Sequence, residues 1–229
     1  MNYNYVDIHR TITEGLGLRR MFAWLVQIMT EVCEGRRQLA AMRHPLGFIC
    51  FPVERREIDG VCVHLWDAEL VTGTPPTTSL VHAHSWDLVS FVLFGEVYNE
   101  EVHVADDHVE PMSRVFEVRS SGDIDELWAT PRLVRETTRA THIHPGGASY
   151  TLPAGSFHTT MVQPGQAAAT IALGSNRLGS RDLSLGPVDG TTHRIRRLRC
   201  DQQETIKAAR TVARHAMVGN ALRDGGRGL

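Results

Sequence analysis

Gly147-Ala148-Ser149-Tyr150-Thr151-Leu152-Pro153-Ala154-Gly155-Ser156-Phe157-His158 is the stretch on which the reading of this chain turns. Residues 148–152 have the texture of a short strand. Pro153 fixes φ and Gly155 admits a left-handed backbone, so Pro153-Ala154-Gly155 predicts a tight turn. A new strand then runs over 157–162, with His158 just inside it. Far upstream stands His82-Ala83-His84, followed by Trp86, Asp87 and a β-like run over 88–94 that stops at Gly95. In a strand, positions i and i+2 point to the same side, so the imidazoles of His82 and His84 converge. Two ligands of one metal ion can therefore come from three consecutive residues.

Outward from these segments the texture stays β-like. Short runs at 46–53, 61–66, 80–94, 97–104, 114–119, 133–142, 148–152, 157–162, 168–173 and 192–198 are separated by Gly, Pro and Asp. Such spacing predicts an antiparallel barrel or jelly roll rather than βαβ units. The two ends read as helix. Thr11-Ile12-Thr13-Glu14 has the form of a capping box, and apolar residues recur at Leu18, Met21, Phe22, Leu25, Ile28, Met29 and Val32. Gly35 is expected to end that helix, and a short second one to run through Leu39, Ala40 and Met42 until Pro45. Near the other end Ile206, Ala209, Val212, Ala213, Ala216 and Met217 fall on one helical face. Gly219 and the Asp224-Gly225-Gly226-Arg227-Gly228 end are expected to fray. The expected organisation is a helical flank (1–45), one β-barrel (46–199), and a C-terminal helix with a frayed tail (200–229).

The two histidine segments together resemble the paired motifs of the cupin superfamily, in a little-characterised bacterial branch. The first motif is H-x-H ahead of a glycine. The second is glycine, five residues, P-x-G, two residues and histidine, matched here from Gly147 to His158; Val162 stands where an optional asparagine would close it. The resemblance implies a mainly β chain: a single jelly-roll barrel with helical flanks at both ends. It also implies one divalent metal ion held by His82, His84 and His158, with positions left open for a small-molecule substrate or dioxygen. Imidazoles suit zinc, iron, copper or nickel; the resemblance places Fe(II) first and Zn(II) next.

The chain departs from the pattern at one place. Many cupins carry a glutamate four or five residues after the second histidine, where Leu88 and Val89 stand here. Asp87 comes closest, but strand alternation points it away from the metal unless the strand bulges at Trp86. The expectation is that Asp87 bonds a loop or orients a histidine, with direct ligation as the alternative. Ser90 shares the parity of His84 and is the other residue placed toward the interior. A three-histidine site without carboxylate resembles that of thiol dioxygenases, which implies a non-haem iron dioxygenase. The alternative comes from His44-Pro45-Leu46-Gly47-Phe48, Val63-His64-Leu65-Trp66 and Trp86-Asp87-Leu88. These resemble bacterial cupins, some joined to a methionyl-tRNA-synthetase-like partner, that form hydrazine N–N bonds from hydroxylated amino-acid conjugates; this redox-neutral chemistry favours zinc. A cupin that binds a small molecule without catalysis is the third reading.

Other residues are assigned plainer roles. His142-Ile143-His144 has no partner histidine of its own and reads as a strand end at the barrel mouth. His103 and His108 are expected to be exposed, and His64 to be a core residue. Arg114, Arg135 and Arg139 are candidates to clamp a carboxylate, with solvated surface as their commoner fate. Val92, Phe94 and Leu152 are expected to line the cavity. Cys33, Cys50, Cys62 and Cys200 contain no C-x-x-C pair and read as reduced, buried thiols rather than a zinc site. A net charge of -2 disfavours nucleic acid, the basic run from His193 to Arg199 reading as an outer strand with one charged face. The lack of a signal-like start or of a roughly 20-residue apolar span points to a cytoplasmic protein. The N-terminal helices are expected either to pack on the barrel or to form a homodimer contact that covers Met21, Phe22 and Trp24.

Overall fold

The computed structural model describes residues 3–56, 58–70 and 76–225, with side chains as far as residue 218. Helix α1 (Tyr5–Glu14) starts earlier than the Thr11 pattern suggests. The capping box is made instead by Asn4, whose side chain accepts from the Val6 and Asp7 N–H groups, while Asp7 reaches back to the Asn4 N–H. Gly15 and Gly17, both left-handed, then turn the chain into α2 (Leu18–Cys33).

The expected short helix at 39–42 does not form. Met42, Arg43 and His44 instead make β1 (Met42–His44), paired with β2 (Phe48–Arg55) in the register Met42↔Cys50 and His44↔Phe48. Pro45-Leu46-Gly47 is therefore a hairpin loop, with Gly47 left-handed. The chain continues as β3 (Asp59–Trp66), β4 (His82–Ala83), β5 (Trp86–Phe94), β6 (Glu96–Asp106) and β7 (Ser113–Ser121). Next come β8 (Ile124–Pro145), β9 (Ser149–Leu152), β10 (His158–Met161), β11 (Ala168–Asn176) and β12 (Asp182–Gly186). The expected strand at 192–198 is two: β13 (His193–Arg196) pairs with β8, and β14 (Leu198–Arg199) pairs with β1. Helix α3 (Gln202–Gly225) runs through Gly219 without a break; the rest of the expected frayed tail lies outside the described residues.

The strands form two antiparallel sheets, β14-β1-β2-β3-β11-β5-β9 and β13-β8-β6-β10-β4-β12-β7. Alternation along the first sheet decides where the core lies. Ile49, Phe51, Val61, Val63, Leu65, Ile171 and Leu173 point outward and pack against the three helices in the largest apolar cluster. Phe48, Cys50, Cys62, His64 and Trp66 take the opposite parity and line the barrel interior. The core is thus sheet against helices, while the barrel interior is a cavity. Of the two readings for Met21, Phe22 and Trp24, the first holds: they pack on the barrel, buried in the cluster with the first sheet, Phe22 meeting Phe91 edge-on at 6.1 Å. Each such side chain contributes roughly 1.5–3 kcal/mol on burial, so the flanking helices are an integral part of the fold. Ala208, Ala209, Val212, Ala213 and Ala216 form the buried face of α3, whereas Met217 is exposed. No helix among the described residues is long and apolar enough to cross a membrane.

Candidate metal centre

Strand β4 holds two residues only, but it is paired on both sides. His82 lies opposite His158 of β10 and opposite Ser184 of β12. Direct cross-strand neighbours share a face, so the His82 and His158 rings meet with centroids 4.3 Å apart. His84, just past the end of β4, brings its ring to 4.8 Å from His82 and 5.1 Å from His158. One ring nitrogen from each lies within 4.8 Å of the others.

Two of the three rings have a fixed tautomer. His82 Nδ1 lies 2.8 Å from the Leu80 carbonyl and His158 Nδ1 lies 3.1 Å from the Ser156 carbonyl. A carbonyl oxygen only accepts, so each Nδ1 carries the proton and each Nε2 keeps its lone pair for a metal. Trp86 stacks on His84 at 4.0 Å, and its own ring lies over Gly174, where a Cβ would come within 2.8 Å of the indole. Gly174 thus leaves the space in which Trp86 buttresses His84.

The turn at Pro153 to Gly155 is tied to the other motif. The Gly155 N–H donates to the His84 carbonyl at 2.8 Å, and the Ala154 N–H donates to Asp87 Oδ1 at 2.9 Å. The other carboxylate oxygen of Asp87 accepts from Arg177 Nε at 2.6 Å and also meets Arg177 Nη2. Arg177, with the Ala154 N–H next, holds the Asp87 carboxyl below its ordinary range. Asp87 is therefore engaged by a loop and an arginine on the side of the strand away from the imidazoles. Asp87→Asn removes the arginine's partner charge but keeps an acceptor for Ala154. It is expected to weaken metal binding by about 10–100-fold while full loading is still reached at saturating metal; a metal titration followed by elemental analysis measures this. Ser90 is buried in the cavity wall, where it hydrogen-bonds Tyr150.

The cavity has a volume of about 770 Å³. Of the three apolar residues expected to line it, Val92 is packed with Val97 and Ala168, and Leu152 with Leu88 and Ala172. Phe94 faces outward and stacks on His215 of α3 at 4.2 Å. The apolar lining includes Phe48, Trp66, Leu88, Leu127 and Leu183, beside several polar groups. None of the three arginines considered as clamps reaches it. Arg114 donates to the Val188 and Thr130 carbonyls, Arg135 pairs with Asp107 and Glu110, and Arg139 is exposed. Arg55 and Arg197 reach the cavity instead. Arg197 sits where the chain crosses from β13 to β14, held by the buried Asp125; Arg194 and Arg196 on either side of Ile195 point to solvent.

His64 is not a packed core residue: it lines the cavity beside Cys50 and Cys62. The signal for it was Cys62-Val63-His64, an i, i+2 pair of the same kind as His82 and His84. His142, by contrast, meets Glu101 at the surface, and His144 stacks on Tyr150. His103 and His108 are exposed.

Burial keeps the three central imidazoles neutral. It lowers His158 to about 3, lowers His84 well below the ordinary 6.5 with help from its two neighbours, and lowers His82 less, the Leu80 carbonyl opposing it. The unfolded chain takes up these protons near pH 6.5 and the folded one only at lower pH. Stability is therefore whole above pH 6.5 and drains away as pH falls toward 3. The metal-free protein is expected to lose up to about 1.4 kcal/mol per pH unit for His158 alone in that window. Urea midpoints measured between pH 7 and pH 4.5 test this, with a shallower slope expected for His158→Gln.

Two facing antiparallel sheets, with H-x-H and P-x-G-x-x-H histidines meeting between them, define the architecture. This is the two-sheet antiparallel barrel that the resemblance to the cupins implied. No protein-family model matches the sequence, and no curated protein matches it. Among solved structures the chain is similar to hydroxypropylphosphonic acid epoxidase from S. wedmorenis, at 13% identity over 60% of this chain and 55% of that one, with a TM-score of 0.36. It is also similar to a hydroquinone 1,2-dioxygenase from Sphingomonas sp. TTNP3, at 14% identity over 55% and 64% with a TM-score of 0.32. A third is a cupin-2 domain protein from Shewanella frigidimarina, at 12% identity over 56% and 79% with a TM-score of 0.29. The chain spans about half the length of the epoxidase.

Proposed function

We propose that this protein is a non-haem iron dioxygenase acting on a small molecule, with Fe(II) held by His82, His84 and His158. The observation that carries the reading is the donor set itself: three neutral imidazoles converging in a cavity, with no carboxylate in the cluster among the described residues. Three protein ligands fit a metal with open positions, and Fe(II) bound there supplies electrons and adjoining sites for substrate and dioxygen. The chain's own residues do the rest. Leu80 and Ser156 hold two rings in the ligating tautomer, Trp86 backs the third, and the apolar side chains of Leu88, Leu127 and Leu183 exclude bulk water. Arg55 provides a cation for an acidic substrate group. The test is oxygen uptake by metal-free protein reconstituted anaerobically with Fe(II) and offered a panel of small thiols. Uptake that requires both Fe(II) and His158 is expected. Stoichiometric zinc in the protein as purified, with no uptake after iron loading, overturns the reading.

That second outcome would favour a redox-neutral rearrangement such as N–N bond formation. The same uncharged three-histidine set is one that catalytic zinc also uses, with the metal acting as a Lewis acid.

A further inference from the structure

The barrel interior has a second cluster of metal-binding side chains, on the sheet facing the three histidines. In β2 and β3, Phe48, Cys50, His64 and Trp66 turn inward, as does Cys62. Cys50 lies directly opposite His64, and Cys62 lies diagonally across, opposite Pro52. One ligand atom from each of Cys50, Cys62 and His64 falls within 4.8 Å of the others, and both cysteines are free and buried. Donors around a tetrahedral metal, at about 2.3 Å for sulfur and 2.0 Å for nitrogen, stand roughly 3.5–3.8 Å apart. The cluster therefore closes on an ion with side-chain movements of about 1 Å.

Two further observations point to a ligand here. Arg55 Nη2 lies 3.5 Å from Cys62 Sγ, placing a cation and an N–H against the sulfur that would carry a thiolate charge. Trp66 packs with Cys50 and Cys62, is 8% exposed and lines the cavity; its indole N–H has no acceptor among the described residues. A buried donor without a partner is costly unless something bound in the cavity accepts from it.

We propose that Cys50, Cys62 and His64 form a second metal site, for an ion of the zinc class, with one position open to the cavity. Thiolates select softer ions than three imidazoles do, so the two sheets offer one cavity two centres of different preference. The sulfur-containing site stands on its own residues and does not require the iron reading of the histidine centre.

Cobalt(II) is the probe, because a thiolate bound to it gives a near-ultraviolet charge-transfer band that imidazole ligands do not. Metal-free full-length protein, kept reduced so that Cys50 and Cys62 stay thiols, is titrated with Co(II) and its cobalt content measured. The expected result is a charge-transfer band saturating in the wild type and in His158→Ala, and lost in Cys62→Ser. Cobalt content should fall by one ion per chain in each variant relative to wild type. His64→Gln, which keeps both sulfurs, should retain the band with weaker affinity and guards against a Cys62→Ser protein that fails to fold. A wild-type protein with no band at saturating cobalt, its thiols all titrating as free, overturns the proposal. So does a band that vanishes in His158→Ala and survives in Cys62→Ser. If His158→Ala has no effect on cobalt content while the thiolate band persists, the histidine centre fails and this one stands.

Discussion

His158→Ala is expected to lose metal at the barrel centre by well over the roughly 100-fold that loss of an outer hydrogen-bonding partner costs, and to stay folded while doing so. His158 is the most buried of the three rings, at 1% exposure, and the one nearest His82. Without it, two imidazoles remain, and no carboxylate among the described residues belongs to the cluster; Asp182, whose charge acts on His82, is engaged by the Ser85 N–H. Leu88 occupies one of the positions where such a carboxylate would stand, and Asp87 is held by Ala154 and Arg177. The fold has little stake in the ring, because the helix-backed core lies on the far side of the first sheet. Elemental analysis beside a urea melt at pH 7 separates the two quantities. Metal retained near wild-type level in a folded His158→Ala protein would mean that the ion sits elsewhere. His82→Ala and His84→Ala should behave alike.

The histidine centre was legible because its signals are local. Pro153 and Gly155 set their own turn, and His82 and His84 share a face by the period of a strand. Asp87 was placed away from the centre by the same alternation, and it does point to the loop. The Cys50 cluster carried an equally local signal in Cys62-Val63-His64, but its third member comes from the neighbouring strand. That register depends on an irregularity between Pro52 and Glu54 in the pairing of β2 with β3, which a pattern of residue types does not reveal. Which face of the first sheet meets the helices is hard to read from sequence for a related reason. Both parities of β2 and β3 are largely apolar, so alternation alone does not say which face meets the helices. The stripe of Met21, Phe22 and Trp24 was consequently open to two readings, packing on the barrel or a dimer contact, and the chain itself covers it. Arg197 was hidden in a run whose outward arginines are its neighbours, and only the crossing from β13 to β14 turns it inward.

The two glycines of the histidine motifs are expected to respond very differently to the same substitution. Both are left-handed, Gly95 at φ 75° and Gly155 at φ 82°, so alanine at either costs about 1–2 kcal/mol in backbone strain. Around Gly155 a Cβ would meet nothing within 4 Å, and its N–H would still donate to His84. Strain is then the whole effect. Gly95 is the single residue between β5 in one sheet and β6 in the other. A Cβ there would stand 2.3 Å from the Ala167 carbonyl oxygen and 2.7 Å from the Ala168 Cα. These are backbone atoms at the start of β11, the strand beside β5, and they cannot rotate aside as a long side chain would. Relieving the overlap means moving β11 off β5 or opening the link between the sheets, at a further cost of about 1–3 kcal/mol or more. Gly95→Ala should therefore lose about 2–5 kcal/mol, a large part of the stability of a domain this size. Gly155→Ala should lose no more than about 2 kcal/mol. Equal shifts in the two urea midpoints would show that the glycine ahead of β6 is required for its φ alone, and that the sheets do not close on it as tightly as Ala167 and Ala168 indicate.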